Sequence, residues 1–126
     1  MTWKNRLSAL VVDSVSTCRT IERLYLAAHG VMAWAVDCGQ AAVELIQSGE
    51  SYNLIVIDIH LPGRSGIEIV RQLRSIGVQS KIIGISGSFS EAERIAFLNA
   101  GGDYYYEKPL VAHHFLPILQ ELDNSV

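Results

Sequence analysis

The stretch Leu54-Ile55-Val56-Ile57-Asp58 is an apolar run that ends on an acid. It is apolar at nearly every position, which is typical of a strand covered on both faces at the centre of a parallel sheet. Three other short runs have the same form: residues 10–12 before Asp13, residues 82–85 before Ser86, and residues 104–107 before Lys108. Because the carboxyl ends of parallel strands share one edge, the runs predict two acids, a hydroxyl and an ammonium in one crevice.

The spacing of apolar residues alternates along the chain between strand-like and helix-like. Predicted strands end at residues 12, 36, 58, 86 and 107, and those after the first begin at residues 31, 52, 81 and 104. Predicted helices run from a cap at Ser16 to a stop at Gly30, and over residues 41–47, 65–74, 90–99 and 111–122. Short connections and right-handed crossovers then favour a doubly wound α/β fold, a five-stranded parallel sheet in flavodoxin-like order 2-1-3-4-5 with helices on both faces.

Length and composition indicate one domain over residues 1–126, since 126 residues at 49% hydrophobic content can bury a single core. No stretch approaches the roughly 18 apolar residues of a membrane span, and the amino terminus lacks a secretion signal, so we expect a cytoplasmic protein, or a nuclear one in a eukaryote. Cys18 and Cys38 form no paired motif, which favours reduced thiols. A net charge of −3 gives no basic face, so no direct binding to nucleic acid is expected.

The two predicted strand-end acids suggest a metal. In the predicted strand order Asp13 and Asp58 end neighbouring strands, and nearby carboxylates repel unless a cation or proton relieves them. A hard ion such as Mg²⁺ takes oxygen ligands and bridges carboxylate to phosphate. The pair therefore predicts a magnesium-assisted reaction with a phosphoryl group.

An ordered set of motifs carries a family resemblance over nearly the whole chain. The set comprises Val11-Val12-Asp13, the segment 58–66 with Leu61-Pro62-Gly63, Ser86, Ala100-Gly101 and Lys108-Pro109. It resembles the receiver domains of two-component response regulators. The resemblance implies that Asp58 accepts a phosphoryl group from the phosphohistidine of a histidine kinase or a histidine phosphotransfer protein. It also implies that Asp13, Asp58 and the backbone carbonyl of His60 hold Mg²⁺, and that Lys108, before a cis proline, binds the phosphoryl oxygens.

The same resemblance implies a conformational switch. Ser86 corresponds to a hydroxyl that moves towards the phosphate, and Tyr105 to an aromatic ring that moves inward with it. Packing aromatics on a strand would explain the tyrosines equally well. A downstream effector would then dock on the face formed by the fourth helix, fifth strand and fifth helix.

Position 14 departs from the family pattern. Receiver domains usually carry two consecutive acids after the first strand, and here the second is Ser14. Since ligand charge tunes the affinity of such sites, we expect weaker Mg²⁺ binding than is usual for the family. Phosphorylation would then be slow, would need a high Mg²⁺ concentration, or would be absent.

Several functions are compatible with these residues. The first is a phosphoacceptor that catalyses only its own modification and slow hydrolysis, including a stand-alone receiver that drains phosphoryl groups from a phosphotransfer protein. The second is a pseudo-receiver that serves only as a protein-interaction module. A phosphatase of the haloacid dehalogenase type is disfavoured because His60 stands where its second acid belongs. A flavin-binding module is disfavoured because no phosphate-binding loop follows the first strand.

Overall fold

Five parallel strands alternate with five helices in the structure, a computed structural model that describes residues 2–126. The strands are β1 (Ser8–Val12), β2 (Met32–Val36), β3 (Leu54–Asp58), β4 (Lys81–Ser86) and β5 (Tyr104–Glu107). The helices are α1 (Ser16–Ala28), α2 (Gly39–Gln47), α3 (Gly66–Ser75), α4 (Glu91–Asn99) and α5 (Ala112–Ser125). The sheet order is β2-β1-β3-β4-β5, so the predicted fold class and strand order are confirmed.

Strand β3 is the centre of the sheet, as its uninterrupted apolar run predicts. All five of its residues are buried, and it pairs with β1 on one side and β4 on the other. The register places Val12 beside Ile57. The next residue on each strand is an acid, so this register makes Asp13 and Asp58 neighbours at the carboxyl edge of the sheet.

Period-two alternation divides the sheet side chains between two buried clusters. One face packs on α2, α3 and α4, and its central strand positions are Leu10, Ile55, Ile57 and Ile82. The opposite face packs on α1 and α5, and its central strand positions are Ala9, Val11, Val56 and Ile83. Alternate residues of each strand therefore point to the same face of the sheet, and this alternation continues to the polar residues at the strand ends.

Helix α1 forms where the sequence predicts it but differs in two details. The predicted cap at Ser16 is wrong: Val15 occupies the N-cap position without a side-chain cap, and the turn is held instead by Val15 N, which donates to Asp13 Oδ1 at 2.9 Å. The apolar residues at helical spacing also lie largely outside the core. The five positions at this spacing are Cys18, Ile21, Leu24, Tyr25 and Ala28, of which only Cys18 is partly buried and the other four are exposed. The buried residues of α1 are Glu22 and Leu26, four positions apart on the inner face.

The remaining helix ends follow local signals. Ser65 and Ser90 are the N-cap residues of α3 and α4, and each hydroxyl accepts a hydrogen bond from a backbone N–H three residues on. Gly30 follows α1 with a φ of 83°, a left-handed stop that glycine adopts without strain. Cys18 and Cys38 are free thiols. No helix in the described part of the chain is long and apolar enough to cross a membrane.

Gly66 connects the fold to the site, because α3 begins directly against the end of β3. A Cβ built on Gly66 would lie 2.4 Å from the backbone oxygen of Asp58 and 2.9 Å from the Cα of Ile59. We therefore expect Gly66→Ala to lower the free energy of unfolding by about 1–3 kcal/mol, measured by urea denaturation.

Gly87→Ala is the matched control for that substitution. A Cβ at Gly87 would meet no atom within 4 Å, so we expect its unfolding curve to overlay that of the wild type. Equal stability of the two variants would contradict the close approach of α3 to β3.

Candidate functional site

Lys108 joins the two strand-end acids through one ammonium group. Its Nζ lies 2.8 Å from Asp13 Oδ2 and 2.9 Å from Asp58 Oδ2. Asp13 is fully buried and Asp58 is 5% exposed, while the Lys108 side chain keeps 16% of its surface accessible. The structure thus brings together three of the four predicted strand-end groups in a nearly enclosed crevice.

The backbone around the crevice holds the remaining oxygens of both acids. The backbone N–H of His60 donates to Asp58 Oδ1 at 2.8 Å, and that of Val15 donates to Asp13 Oδ1. The Lys108–Pro109 peptide bond is cis, as the resemblance implied. The backbone N–H of Lys108 also donates to the carbonyl of Ser86 at 2.7 Å, which ties the segment after β5 to the end of β4.

The charge of Lys108 is stabilised by its partners. Burial alone would lower the pKa of its ammonium, but the close contacts with Asp13 and Asp58 outweigh burial and raise the pKa above its usual value. Lys108 is therefore a permanent cation in the crevice.

Ser86 lies at the end of the adjacent strand but does not contact the acids. Its hydroxyl donates to the backbone carbonyl of Ser88 at 2.7 Å and accepts from the Ser88 N–H at 3.2 Å. The reason is the alternation of side chains along a strand. Ser86 lies on the sheet face of Ile82, whereas Asp58 lies on the opposite face with Val56. The predicted convergence is thus reached by two acids and the ammonium, with the Ser86 hydroxyl turned towards its own loop.

Tyr105 already points inward, on the same face as Ser86, although the Ser86 hydroxyl still contacts its own loop rather than the acids. It is 7% exposed, and its ring lies edge-on to Phe89 at 5.6 Å between centroids. Its hydroxyl donates to Glu93 Oε1 at 3.3 Å. The other carboxylate oxygen of Glu93 lies 3.2 Å from His60 Nε2. Glu93 on α4 therefore links the Tyr105 ring to His60, which lies two residues after Asp58.

Glu22 is a site residue that sequence reasoning missed. It is 3% exposed, and one of its oxygens lies within 4.8 Å of both an Asp13 oxygen and the Cys18 sulfur. Burial, together with the nearby carboxylate of Asp13, raises the pKa of Glu22 to about 9. The available signal was its spacing of four from Cys18 and from Leu26, which places all three on one helical line.

The residues present fit a hard divalent cation. The crevice offers carboxylate oxygens from Asp13 and Asp58, which are the ligand type that Mg²⁺ prefers. A further carboxylate oxygen, Glu22 Oε1, is buried without a hydrogen-bond partner. Even with Glu22 protonated, two carboxylates beside one ammonium leave a net negative charge that a cation would relieve.

Comparisons with known proteins define the class. The family model for the response regulator receiver domain matches residues 9–120. Two-component response regulator 24 of Arabidopsis thaliana is 36% identical over 123 residues, which cover 98% of this chain and 88% of that protein. Response regulator MprA of Mycolicibacterium vanbaalenii is 34% identical over 113 residues, which cover 90% of this chain and 48% of that protein.

Solved structures agree with the sequence relatives. A CheY-like receiver domain from Methanospirillum hungatei superposes with a TM-score of 0.84 at 26% identity, covering 95% of this chain and 96% of that one. Response regulator TrrA from Thermotoga maritima, solved with Mg(2+)-BeF, has a TM-score of 0.79 at 26% identity, covering 92% and 98%. The fold is that of the CheY-like receivers. This chain belongs to the response regulator receiver domain family.

The raised pKa of Glu22 makes a prediction about stability and pH. In the unfolded chain this carboxyl has its ordinary pKa of 4.5, whereas in the fold its pKa is about 9. Between those values the unfolded state has lost a proton that the native state retains, so rising pH favours unfolding. We expect Glu22→Gln to raise the free energy of unfolding of the metal-free protein at pH 7 by roughly 1–3 kcal/mol, measured by urea denaturation.

The gain should shrink as the pH falls towards 4.5, where Glu22 is protonated in both states. Glu44→Gln is the same substitution at an exposed position on α2 and should show neither effect. A Glu22→Gln gain that is absent at pH 7, or independent of pH, would contradict the environment described for Glu22.

Proposed function

We propose that this chain is a phosphoryl-accepting signalling domain in which Asp58 takes the phosphoryl group of a phosphohistidine donor. The observation that carries the proposal is the Lys108 ammonium held between Asp13 and Asp58. Phosphoryl transfer to a carboxylate depends mainly on positioning and on neutralising the oxygens of the transferred group. The crevice supplies a buried acceptor and a fixed cation next to it.

The transfer step follows from this arrangement. An Asp58 carboxylate oxygen forms the new bond to phosphorus while the bond from phosphorus to the donor imidazole nitrogen breaks. The imidazole leaves with the electron pair and later takes up a proton. Lys108 stabilises the charge on the phosphoryl oxygens, and the backbone N–H of His60 orients the acceptor through Asp58 Oδ1.

Receiver domains bind Mg²⁺, and here we assign its ligands to Asp13, Asp58 and the backbone carbonyl of His60. When bound, the ion supplies charge neutralisation between the acceptor and the phosphoryl oxygens. Ser14 provides no carboxylate, so we expect this chain to need more Mg²⁺ than relatives with two acids there.

Ser86 and Tyr105 are proposed as the switch. The Ser86 hydroxyl holds the start of the loop between β4 and α4 through Ser88, and Tyr105 is hydrogen-bonded to Glu93 beyond that loop. A phosphoryl group on Asp58 would offer the hydroxyl a charged acceptor in place of the Ser88 carbonyl, which is the stronger bond. The loop released in this way borders the face of α4, β5 and α5, where we place the effector.

The donor is proposed to approach from the side of α1. The exposed apolar residues Ile21, Leu24 and Tyr25 lie on the helix that follows Asp13 directly. Exposed apolar side chains grouped beside a functional crevice are typical of a protein-docking surface. A histidine kinase or a histidine phosphotransfer protein docked there would reach Asp58. Receivers typically work in the cytoplasm, and we propose the same location here.

A pseudo-receiver is the second candidate function, and Ser14 is the observation that favours it. Such a domain would use the same surfaces for binding without being phosphorylated. In neither case do we propose turnover of an external substrate, and the phosphorylated form would revert by slow self-hydrolysis.

Phosphorylation separates these two functions. We expect incubation with acetyl phosphate and Mg²⁺ to add the mass of one phosphoryl group, measured by intact-protein mass spectrometry. Asp58→Asn should abolish the gain, because an amide is a poor nucleophile. Asp37→Asn, at an exposed acid after β2, should retain it. No mass gain in the wild type at any Mg²⁺ concentration would support the pseudo-receiver.

The switch predicts a specific spectral change. With Mg²⁺ and beryllofluoride, a phosphoryl mimic, we expect the backbone amides of Ser88, Phe89 and Ser90 to shift in ¹⁵N-resolved NMR spectra. Ser86→Ala removes the hydroxyl, so these loop shifts should shrink while shifts at His60 persist. Identical spectral changes in the variant and the wild type would refute the role of the hydroxyl.

A further inference from the structure

Glu22 is a buried acid without a cation. Lys108 Nζ pairs with one oxygen of Asp13 and one of Asp58. Across residues 2–126, no basic side chain forms an ion pair with Glu22, and its Oε1 has no hydrogen-bond partner. A buried carboxyl group in this position is costly unless something binds it.

The position of Glu22 relative to Asp13 suggests what it binds. Glu22 comes from the inner face of α1, and Asp13 from the end of β1, yet their carboxylate oxygens lie within 4.8 Å of each other. Glu22 Oε1 is buried away from solvent, on a residue that is 3% exposed overall. The two acids therefore converge on one small volume at the edge of the crevice.

A surface cavity borders Glu22. A cavity of about 230 Å³ opens between α1 and the segment after β5, and its lining includes Glu22, Cys18 and Lys108. Glu22 thus borders a cavity although almost none of its side chain is exposed, and the other lining residues are apolar: Ile21, Pro109 and Leu110.

The number of acids in the crevice also indicates a role for Glu22. A second acid after β1 is missing, because position 14 is serine. Affinity for a hard divalent cation depends on the number of charged oxygen ligands. With Glu22 included, the crevice holds three carboxyl groups and one ammonium. An acid at position 14 together with an apolar residue at position 22 would give the same number of carboxyl groups.

We propose that Glu22 is an additional acid of the divalent-cation site, supplying from α1 the carboxylate that Ser14 does not supply from the end of β1. The inference rests on the proposed function only in placing the cation at Asp13 and Asp58. Cys18 shares the cluster, but its soft sulfur is a poor ligand for Mg²⁺, so the role belongs to the two carboxylates.

Mg²⁺ titration without any phosphodonor tests this directly. Affinity is read from the amide chemical shifts around Asp58 in the full chain. We expect Glu22→Gln to weaken Mg²⁺ binding about tenfold or more, the range seen when an acid supporting a metal ligand is removed. Glu44→Gln, the same substitution at an exposed position on α2, should bind as the wild type does. Adding Ser14→Asp to Glu22→Gln should restore the affinity, because it returns a carboxylate to the site.

The outcomes are distinct. An unchanged affinity in Glu22→Gln, with a folded spectrum, overturns the role of Glu22 and leaves the phosphoacceptor proposal intact. Loss of affinity that Ser14→Asp fails to recover also counts against it, since a carboxylate at either position should suffice. If the wild type binds no Mg²⁺ at all, both this inference and the magnesium dependence fail, and the acetyl phosphate experiment then decides separately whether Asp58 accepts a phosphoryl group.

Discussion

A single ammonium group between two buried carboxylates is the constraint on which the rest of the structure depends. Lys108 follows β5, Asp13 ends β1 and Asp58 ends β3, so its two contacts draw together the ends of three strands. Removing Lys108 would leave two buried acids without a cation in a crevice that is almost closed to water, whereas removing either acid would leave one ion pair. Burying these charges costs desolvation energy in the unphosphorylated fold. A buried cation beside an acceptor carboxylate is also what a transferred phosphoryl group requires.

Charge balance connects this crevice to helix α1. Glu22 occupies an inner position of the helix where an apolar residue would normally pack, and its burial is unfavourable by itself. Retaining an acid there is understandable if the acid serves the crevice, since position 14 no longer does. The helix is consequently unusual on both sides: it directs a carboxyl inward and presents an apolar stripe outward. Site and docking surface thus meet on one element.

Much of the fold was predictable because its signals are local. The apolar run of β3 and the regular alternation of strands and helices determine the class and the order of the sheet. Neighbouring positions for Asp13 and Asp58 then follow from the parallel register alone. The orientation of Ser86 was not predicted, because it depends on the register that pairs Asp58 with Ile85 and so places Ser86 on the opposite face. Convergence of strand ends does not by itself imply convergence of side chains.

Helix α1 shows where reading a sequence by pattern fails. Ile21, Leu24 and Tyr25 have helical spacing, but spacing alone does not determine which side of a helix meets the sheet. The inner line of Cys18, Glu22 and Leu26 contains an acid, so a search for apolar residues at helical spacing does not select it. Only the tertiary position of Asp13 reveals why a carboxyl belongs there. Val15 likewise replaced Ser16 at the cap because the carboxylate of Asp13 already holds that turn.

The most direct test of the account identifies which residue carries the phosphoryl group. Reduction of the acetyl phosphate-treated protein with borohydride converts an aspartyl phosphate to homoserine, and peptide mapping by tandem mass spectrometry locates it. The account predicts homoserine at position 58 and at no other acid. Homoserine at Asp13 or at a surface acid, or none at all under saturating Mg²⁺, would contradict it.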